Sequence, residues 1–80
     1  MGGYNKAKYL AKRLAARVHQ NLNRAANELA TLYGIFEPHH KEEAEIIDRL
    51  GQGVTLLLDE VEALWVRSWG ELPEDWSVWT

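Results

Sequence analysis

Three histidines and two neighbouring glutamates are the residues of this 80-residue chain that come nearest to a metal site. His39 and His40 stand just before Glu42 and Glu43, and His19 lies twenty residues upstream of the pair. Imidazole and carboxylate groups are ligands that zinc accepts, but a closed site needs about four of them converging on one point. The spacing here does not place that many on one face of a helix. We therefore interpret the histidine pair as solvated residues at a helix start and expect no metal.

Nucleophiles and acid/base pairs are also poorly placed. Ser68 and Ser77 stand among tryptophans, with no histidine nearby to act as a general base. Adjacent carboxylates such as Asp59 and Glu60 diverge around a helix, and no glycine-rich phosphate loop occurs. The sequence therefore predicts a protein that is not an enzyme and that needs no cofactor.

The tryptophans are the most unusual feature of the sequence, because all four fall within the last sixteen residues. Tryptophan is enriched in the hot spots of protein interfaces, which favours a docking surface. It also suits the open end of a helical hairpin with a thin core, where each indole N–H finds a carboxylate or backbone partner. The core interpretation is favoured for Trp65, whereas the other three fit either. The residues that we expect to contact a partner are Trp69, Glu71, Asp75, Trp76 and Trp79.

Charge is divided sharply along the chain. The first 27 residues carry six lysines and arginines and no acid, whereas all twelve acids lie from Glu28 onward. Such asymmetry indicates either ion pairs within or between chains or an anionic partner, and the acidic second half favours pairing. In the alternative, the basic helix binds a nucleic acid or nucleotide, with tyrosines that stack on bases. The residues for that role are Tyr4, Lys6, Lys8, Tyr9, Lys12, Arg13 and Arg17.

Residues 41–70 form the element around which the rest of the chain is organised. Apolar residues recur there at alternating steps of three and four, which is the heptad pattern of an α-helix with a narrow apolar seam. The seam consists of Ile47, Leu50, Val54, Leu57, Val61 and Leu64. Because such a seam buries nothing until another helix lies along it, the sequence predicts association through these residues.

A first helix is predicted over residues 5–33, where an apolar face rich in alanine persists through several turns. Asn5 is expected to cap its start and Gly34 to end it in the left-handed C′ position. A loop over 34–38 then leads to a second helix over 39–69. So short a connection forces two long helices to fold back antiparallel.

Two glycines interrupt the second helix, and each costs about 1 kcal/mol against alanine in a helix interior. Because the apolar phase runs through Gly51 and Gly53 without a skip, we favour a continuous helix thinned for close approach by a bulky neighbour. A break at this point is the alternative. The remainder, residues 70–80, is an acidic and aromatic tail in which Pro73 can start one more helical turn.

The predicted fold is therefore all-α, a single domain over residues 1–80 built as an antiparallel helical hairpin with a short Trp-rich tail. A domain this short has a small core, and without cysteine it has no disulfide to stabilise it. We expect the hairpin to associate with itself, most simply as a dimeric four-helix bundle. No apolar run approaches the roughly 20 residues of a bilayer span. With no secretory signal either, a cytoplasmic location is expected.

This plan of two long helices, a short loop and an acidic tail resembles the small plasmid-encoded proteins that dimerise into a four-helix bundle and bind paired RNA loops. It also looks like small virus-encoded inhibitors of host defence, which bind proteins or nucleotides. Both likenesses are of architecture, so they assign no residue a role. The expected function is a non-enzymatic protein-binding module, an adaptor or inhibitor. The alternatives are a nucleic-acid or nucleotide binder and a structural assembly subunit.

Overall fold

The computed structural model describes the backbone of residues 2–79 and the side chains of residues 7–76. Two long helices, α1 (Gly2–Phe36) and α2 (Lys41–Trp69), are followed by a short 3₁₀ helix (Glu74–Trp79), and the described residues contain no strand. The two long helices pack against each other along their length. The all-α helical hairpin that the sequence predicts is confirmed.

Neither long helix contains, within the described part of the chain, an apolar stretch sufficient to cross a bilayer.

The turn between the helices lies later in the chain than the sequence predicts. Asn5 and Gly34, expected at the ends of the first helix, both lie inside α1, and Gly34 does not adopt a positive φ. The chain leaves α1 only after Phe36, whose carbonyl oxygen accepts hydrogen bonds from the backbone N–H groups of His39 (3.1 Å) and His40 (2.7 Å). Pro38 therefore lies in this turn and not in the first turn of α2.

Helix α2 runs without a break through both of its glycines. A Cβ atom built on Gly51 or Gly53 would meet nothing within 4 Å, so no other side chain of the same chain occupies the space beside either glycine. The helix ends at Gly70, which has a φ of +97° and donates its N–H to the carbonyl of Val66 at 2.9 Å. A positive φ at this point favours glycine, because a Cβ atom would crowd the backbone.

The predicted seam of α2 separates into two stripes. Ile47 is buried and Val54 and Val61 are half-buried, because these residues face α1. The alternating positions point away from α1 and form the outer stripe. The outer stripe consists of Leu50, Leu57 and Leu64, each 53% exposed. Of the predicted seam, Ile47, Val54 and Val61 are therefore covered within the hairpin and the outer stripe is not, since α1 is a single neighbour and covers only one side of the heptad pattern.

The first helix shows the same division. Ala15, Ala26, Leu22 and Leu29 are half-buried towards α2, whereas Leu14, Val18 and Leu32 remain exposed. Within residues 7–76, the buried apolar side chains are Ala44, Ile47, Trp65 and Trp76. The hairpin core is thin because the face of α1 that meets α2 is built largely from alanine.

Replacing Gly51 with alanine should raise the free energy of unfolding by about 1 kcal/mol, because alanine restricts the unfolded chain more and the added methyl group has room. Gly70→Ala is the matched opposite case and should lower it by at least about 1 kcal/mol, since its φ is positive. Urea denaturation followed by circular dichroism measures both. A destabilising Gly51→Ala would show that the space beside Gly51 is filled in solution.

Candidate functional site

The tail folds back onto the end of the hairpin where α2 stops. After Gly70 the chain turns and enters the 3₁₀ helix, which begins with a hydrogen bond from the N–H of Trp76 to the carbonyl of Pro73 at 3.0 Å. This short helix places the indole of Trp76 against the two long helices, where it is only 8% exposed. The tail is thus part of the packed structure up to this residue.

Four aromatic side chains form a continuous group, which we call the aromatic cluster. The imidazole of His19 and the indole of Trp76 lie parallel, with ring centroids 3.7 Å apart and an interplanar angle of 4°. Trp76 then contacts Trp65 at 4.7 Å and 57°, and Trp65 contacts Trp69 edge-on at 4.7 Å and 62°. The cluster joins α1, α2 and the tail, so it fixes the position of the tail on the hairpin.

Two polar atoms of the cluster, Nε1 of Trp65 and Nε2 of His19, have partners. The Nε1–H of Trp65 donates a hydrogen bond to the backbone carbonyl of Glu71 at 3.0 Å. His19 is 3% exposed, and its Nε2 lies 3.4 Å from Oε2 of Glu62, a half-buried carboxylate on α2. Because buried polar atoms without partners are costly, these contacts allow the cluster to be buried.

Sequence reasoning did not identify His19 as part of this cluster, and treated it only as a distant metal-ligand type. Its signal was its phase on α1, since it stands four residues after Ala15 and seven before Ala26, both of which face α2. Among the described residues, no group of three His, Cys, Asp or Glu side chains is close enough to hold a metal ion.

The residues expected to bind a partner divide into buried and exposed members. Trp76 is inside the aromatic cluster and presents only a small part of its surface to solvent, because both the hairpin and Trp65 cover it. Trp69 is half-buried, whereas Glu71 and Asp75 are exposed. The side chain of Trp79 lies outside the described residues.

Trp69 forms one wall of an open groove beside the aromatic cluster, which we call the tail-end groove. Its volume is about 470 Å³, and it is lined by Lys8, Tyr9, Lys12, Ser68 and Trp69. The Nζ of Lys12 lies 5.5 Å from the centre of a Trp65 ring, within the range of a cation–π contact. The groove therefore combines an aromatic wall with two ammonium groups.

Another groove, with a volume of about 520 Å³, lies between the two helices nearer the loop and is lined by Ala26, Ala30, Tyr33, Gly51 and Thr55, among others. Both grooves are open to solvent. Only the tail-end groove has charged amines beside an aromatic wall.

The residues of the alternative anion-binding role are only partly brought together. Lys8, Tyr9 and Lys12 line the tail-end groove, and Arg13 lies over the ring of Tyr9 with its Cζ 6.0 Å from the ring centre. Arg17 is exposed farther along α1. The side chains of Tyr4 and Lys6 lie outside the described residues.

Comparison with known proteins finds no match to this chain among protein-family models, curated proteins or solved structures.

Replacing Trp76 with alanine should lower the free energy of unfolding by about 3–5 kcal/mol, since it removes a buried indole and uncovers His19 and Trp65. Denaturant unfolding and the emission wavelength of the remaining tryptophans measure the change. Trp69→Ala, at a half-buried position of the same cluster, is the matched control and should cost less. Equal losses for both variants would contradict the packing of the tail described here.

Proposed function

We propose that this chain is a non-enzymatic protein-binding module, an adaptor or inhibitor, which works as a helical oligomer and contacts its partner through the tail end of the hairpin. The observation that carries the proposal is the position of Trp69. Its indole is held edge-on by the buried Trp65 and still forms a wall of the open tail-end groove. A large aromatic side chain held in place before binding loses little conformational entropy on contact, which is the property of interface anchors.

The charges around Trp69 suit a partner with mixed polarity. Lys8 and Lys12 lie in the groove, while Glu71 and Asp75 are exposed on the neighbouring tail. A partner that inserts an apolar or aromatic side chain, with carboxylates beside it to face the lysines, matches this surface. Charges at the rim of such an interface contribute mainly to the association rate and to the choice of partner.

The amount of exposed apolar surface also supports a binding role. Among residues 7–76, thirteen large apolar side chains are exposed, against four buried apolar residues. Exposed apolar side chains that occur singly are ordinary, but contiguous patches are typical of interaction sites.

The proposed location is the cytoplasm. Disulfides are rare in that compartment, and a chain without cysteine forms none.

The tail surface can be tested with a photo-crosslinking side chain in place of Ser68, which is exposed and lines the groove. We expect it to capture a discrete protein in the source cell, and the same group at the exposed Gln52 should not capture it. Adding Trp69→Ala should abolish capture with helicity unchanged, whereas Ile35→Ala, at an exposed apolar residue near the loop, should leave capture intact. Capture that survives Trp69→Ala excludes this surface.

These point variants give a clearer test of the tail surface than a truncation after Gly70. Truncation removes Trp76 and the Glu71 carbonyl that accepts the Trp65 hydrogen bond, so it also uncovers the aromatic cluster. Loss of capture in the truncated chain would then have two explanations.

A second candidate function, binding of a nucleic acid or nucleotide, is favoured by Tyr9. Its side chain is 65% exposed and stands beside Lys8, Lys12 and Arg13, so a base could stack on the ring while the cations contact phosphates.

A third candidate function, that of a structural assembly subunit, is favoured by the exposed outer stripe.

Binding to labelled single-stranded RNA and DNA separates the first two functions. If the protein-binding function is correct, neither probe should bind even at low salt. If phosphates are contacted by several cations, affinity should fall steeply as salt rises, and Lys8→Glu with Lys12→Glu should abolish it. Fluorescence anisotropy over a salt series measures both outcomes.

A further inference from the structure

One side of the hairpin is an unoccupied apolar surface, which we call the open face. The opposite side is covered near the end of α2 by the tail, where Trp76 lines a groove together with Asn23, Ala26, Thr55 and Glu62. Successive residues of an α-helix are about 100° apart, and the two helices run antiparallel, so seven exposed apolar residues of the two helices fall on the side away from the tail. The open face consists of Leu14, Val18, Leu32, Ile46, Leu50, Leu57 and Leu64.

The surface area of the chain is large enough to supply an interface. A folded monomer of 9.2 kDa is expected to expose about 4,900 Å², whereas this chain exposes 6484 Å². Its dimensions are 58 × 22 × 15 Å, which is a flat hairpin one helix thick. The excess is larger than the roughly 800 Å² that each partner contributes to an interface of standard size.

The shape of the open face at Gly53 indicates what covers that face. Gly53 lies on the same side of α2 as the outer stripe, and a Cβ atom there would meet nothing within 4 Å. In an antiparallel pair of α2 helices that crosses near Thr55, Leu57 lies two residues after the crossing point and Gly53 two residues before it. Each Leu57 then faces the gap left by the other copy's Gly53. Ile46 lies nine residues before the crossing point and Leu64 nine residues after it, so each Ile46 faces the other copy's Leu64.

The charges on the outer flank of α2 agree with this register. Arg49 lies six residues before Thr55 and Glu60 five residues after it, so each Arg49 faces the other copy's Glu60. Arg67 lies twelve residues after Thr55 and Glu42 lies thirteen residues before it, so these two residues form a second pair between copies. All four side chains are exposed in the hairpin. An antiparallel pair of α2 helices thus matches opposite charges at both places.

Helix α1 fits the same symmetry axis. Ala26 lines the same groove as Thr55, so the two residues are level along the hairpin, and an axis that crosses α2 at the level of Thr55 crosses α1 at the level of Ala26. Arg24 and Glu28 lie two residues on either side of Ala26, so they too face each other between copies. Ala25 lies seven residues from both Val18 and Leu32 and so shares their face, and its small side chain leaves room for the two α1 helices to approach closely.

The other two-fold arrangement, with α1 of one copy on α2 of the other, fits less well. Since His19 contacts Glu62, Leu14 is level with Arg67, five residues farther along in each direction. Leu32 is level with Arg49 by the same relation, because Tyr33 and Asp48 line one groove. That arrangement places both arginines against leucines, whereas the antiparallel α2 pair brings one leucine of the outer stripe, Leu50, to the level of a charged residue, Glu60.

We infer that a second copy of this chain covers the open face, with α2 antiparallel to α2 and α1 antiparallel to α1, in a two-fold symmetric four-helix bundle. The inference specifies the self-association part of the proposed function. It does not involve the tail-end groove, which lies on the end of the hairpin.

Light scattering tests the interface. The chain should have twice the mass of 9.2 kDa at micromolar concentrations, and Leu57→Glu should return it to the single mass with its helicity kept. Leu56→Glu is the matched control, because Leu56 is 66% exposed but points about 100° away from Leu57. A wild-type monomer, or a Leu57→Glu variant that remains dimeric, overturns the inference.

A charge exchange tests the register. Arg49→Glu and Glu60→Arg should each weaken the dimer by about tenfold, since each reverses two symmetry-related contacts. The double variant should recover most of the lost affinity. The two residues are about 16 Å apart on one helix, too far to pair within a chain, so recovery comes only from contacts between copies. Absence of recovery in a folded double variant overturns the antiparallel register.

The two proposals fail independently. A monomeric wild-type chain that still captures a partner through Trp69 would contradict only the dimer. A dimer in which Trp69→Ala leaves capture unchanged would contradict only the partner surface.

Discussion

The apolar surface of α2 is wider than a single neighbouring helix can cover, and this constraint governs the rest of the structure. Ile47, Val54 and Val61 face α1, while Leu50 and the other leucines of the outer stripe face away from it. A helix with two such stripes is typical of a bundle in which each helix has two neighbours. The hairpin provides one neighbour, and a second copy provides the other in the arrangement that we propose.

The tail determines which side of the hairpin remains open. Trp76 stacks on His19 and contacts Trp65, so the tail closes one side with aromatic rings. The alanine-rich face of α1 supplies little volume of its own, and the indoles provide it at this end. Tryptophan therefore has two roles here: Trp65 and Trp76 hold the structure together, whereas Trp69 remains available at the tail-end groove.

The heptad of α2 and the apolar face of α1 were sufficient to predict two long helices folded into a hairpin. The ends of the helices were less predictable, because local capping signals compete with packing. Gly34 has the residue type of a helix end, but α1 continues to Phe36, which is half-buried and packs edge-on against His40 at 5.9 Å. The contact between Phe36 and His40 accompanies the later helix end.

By itself the sequence determined which residues share a helical face, because that depends only on the period of the α-helix. The tertiary structure alone decided what covers each face. It placed Leu57 in solvent and Val54 against α1, although both belong to one heptad seam, and it placed His19 under Trp76. The physical reason is that burial depends on the positions of neighbouring elements, and residues distant in sequence set those positions.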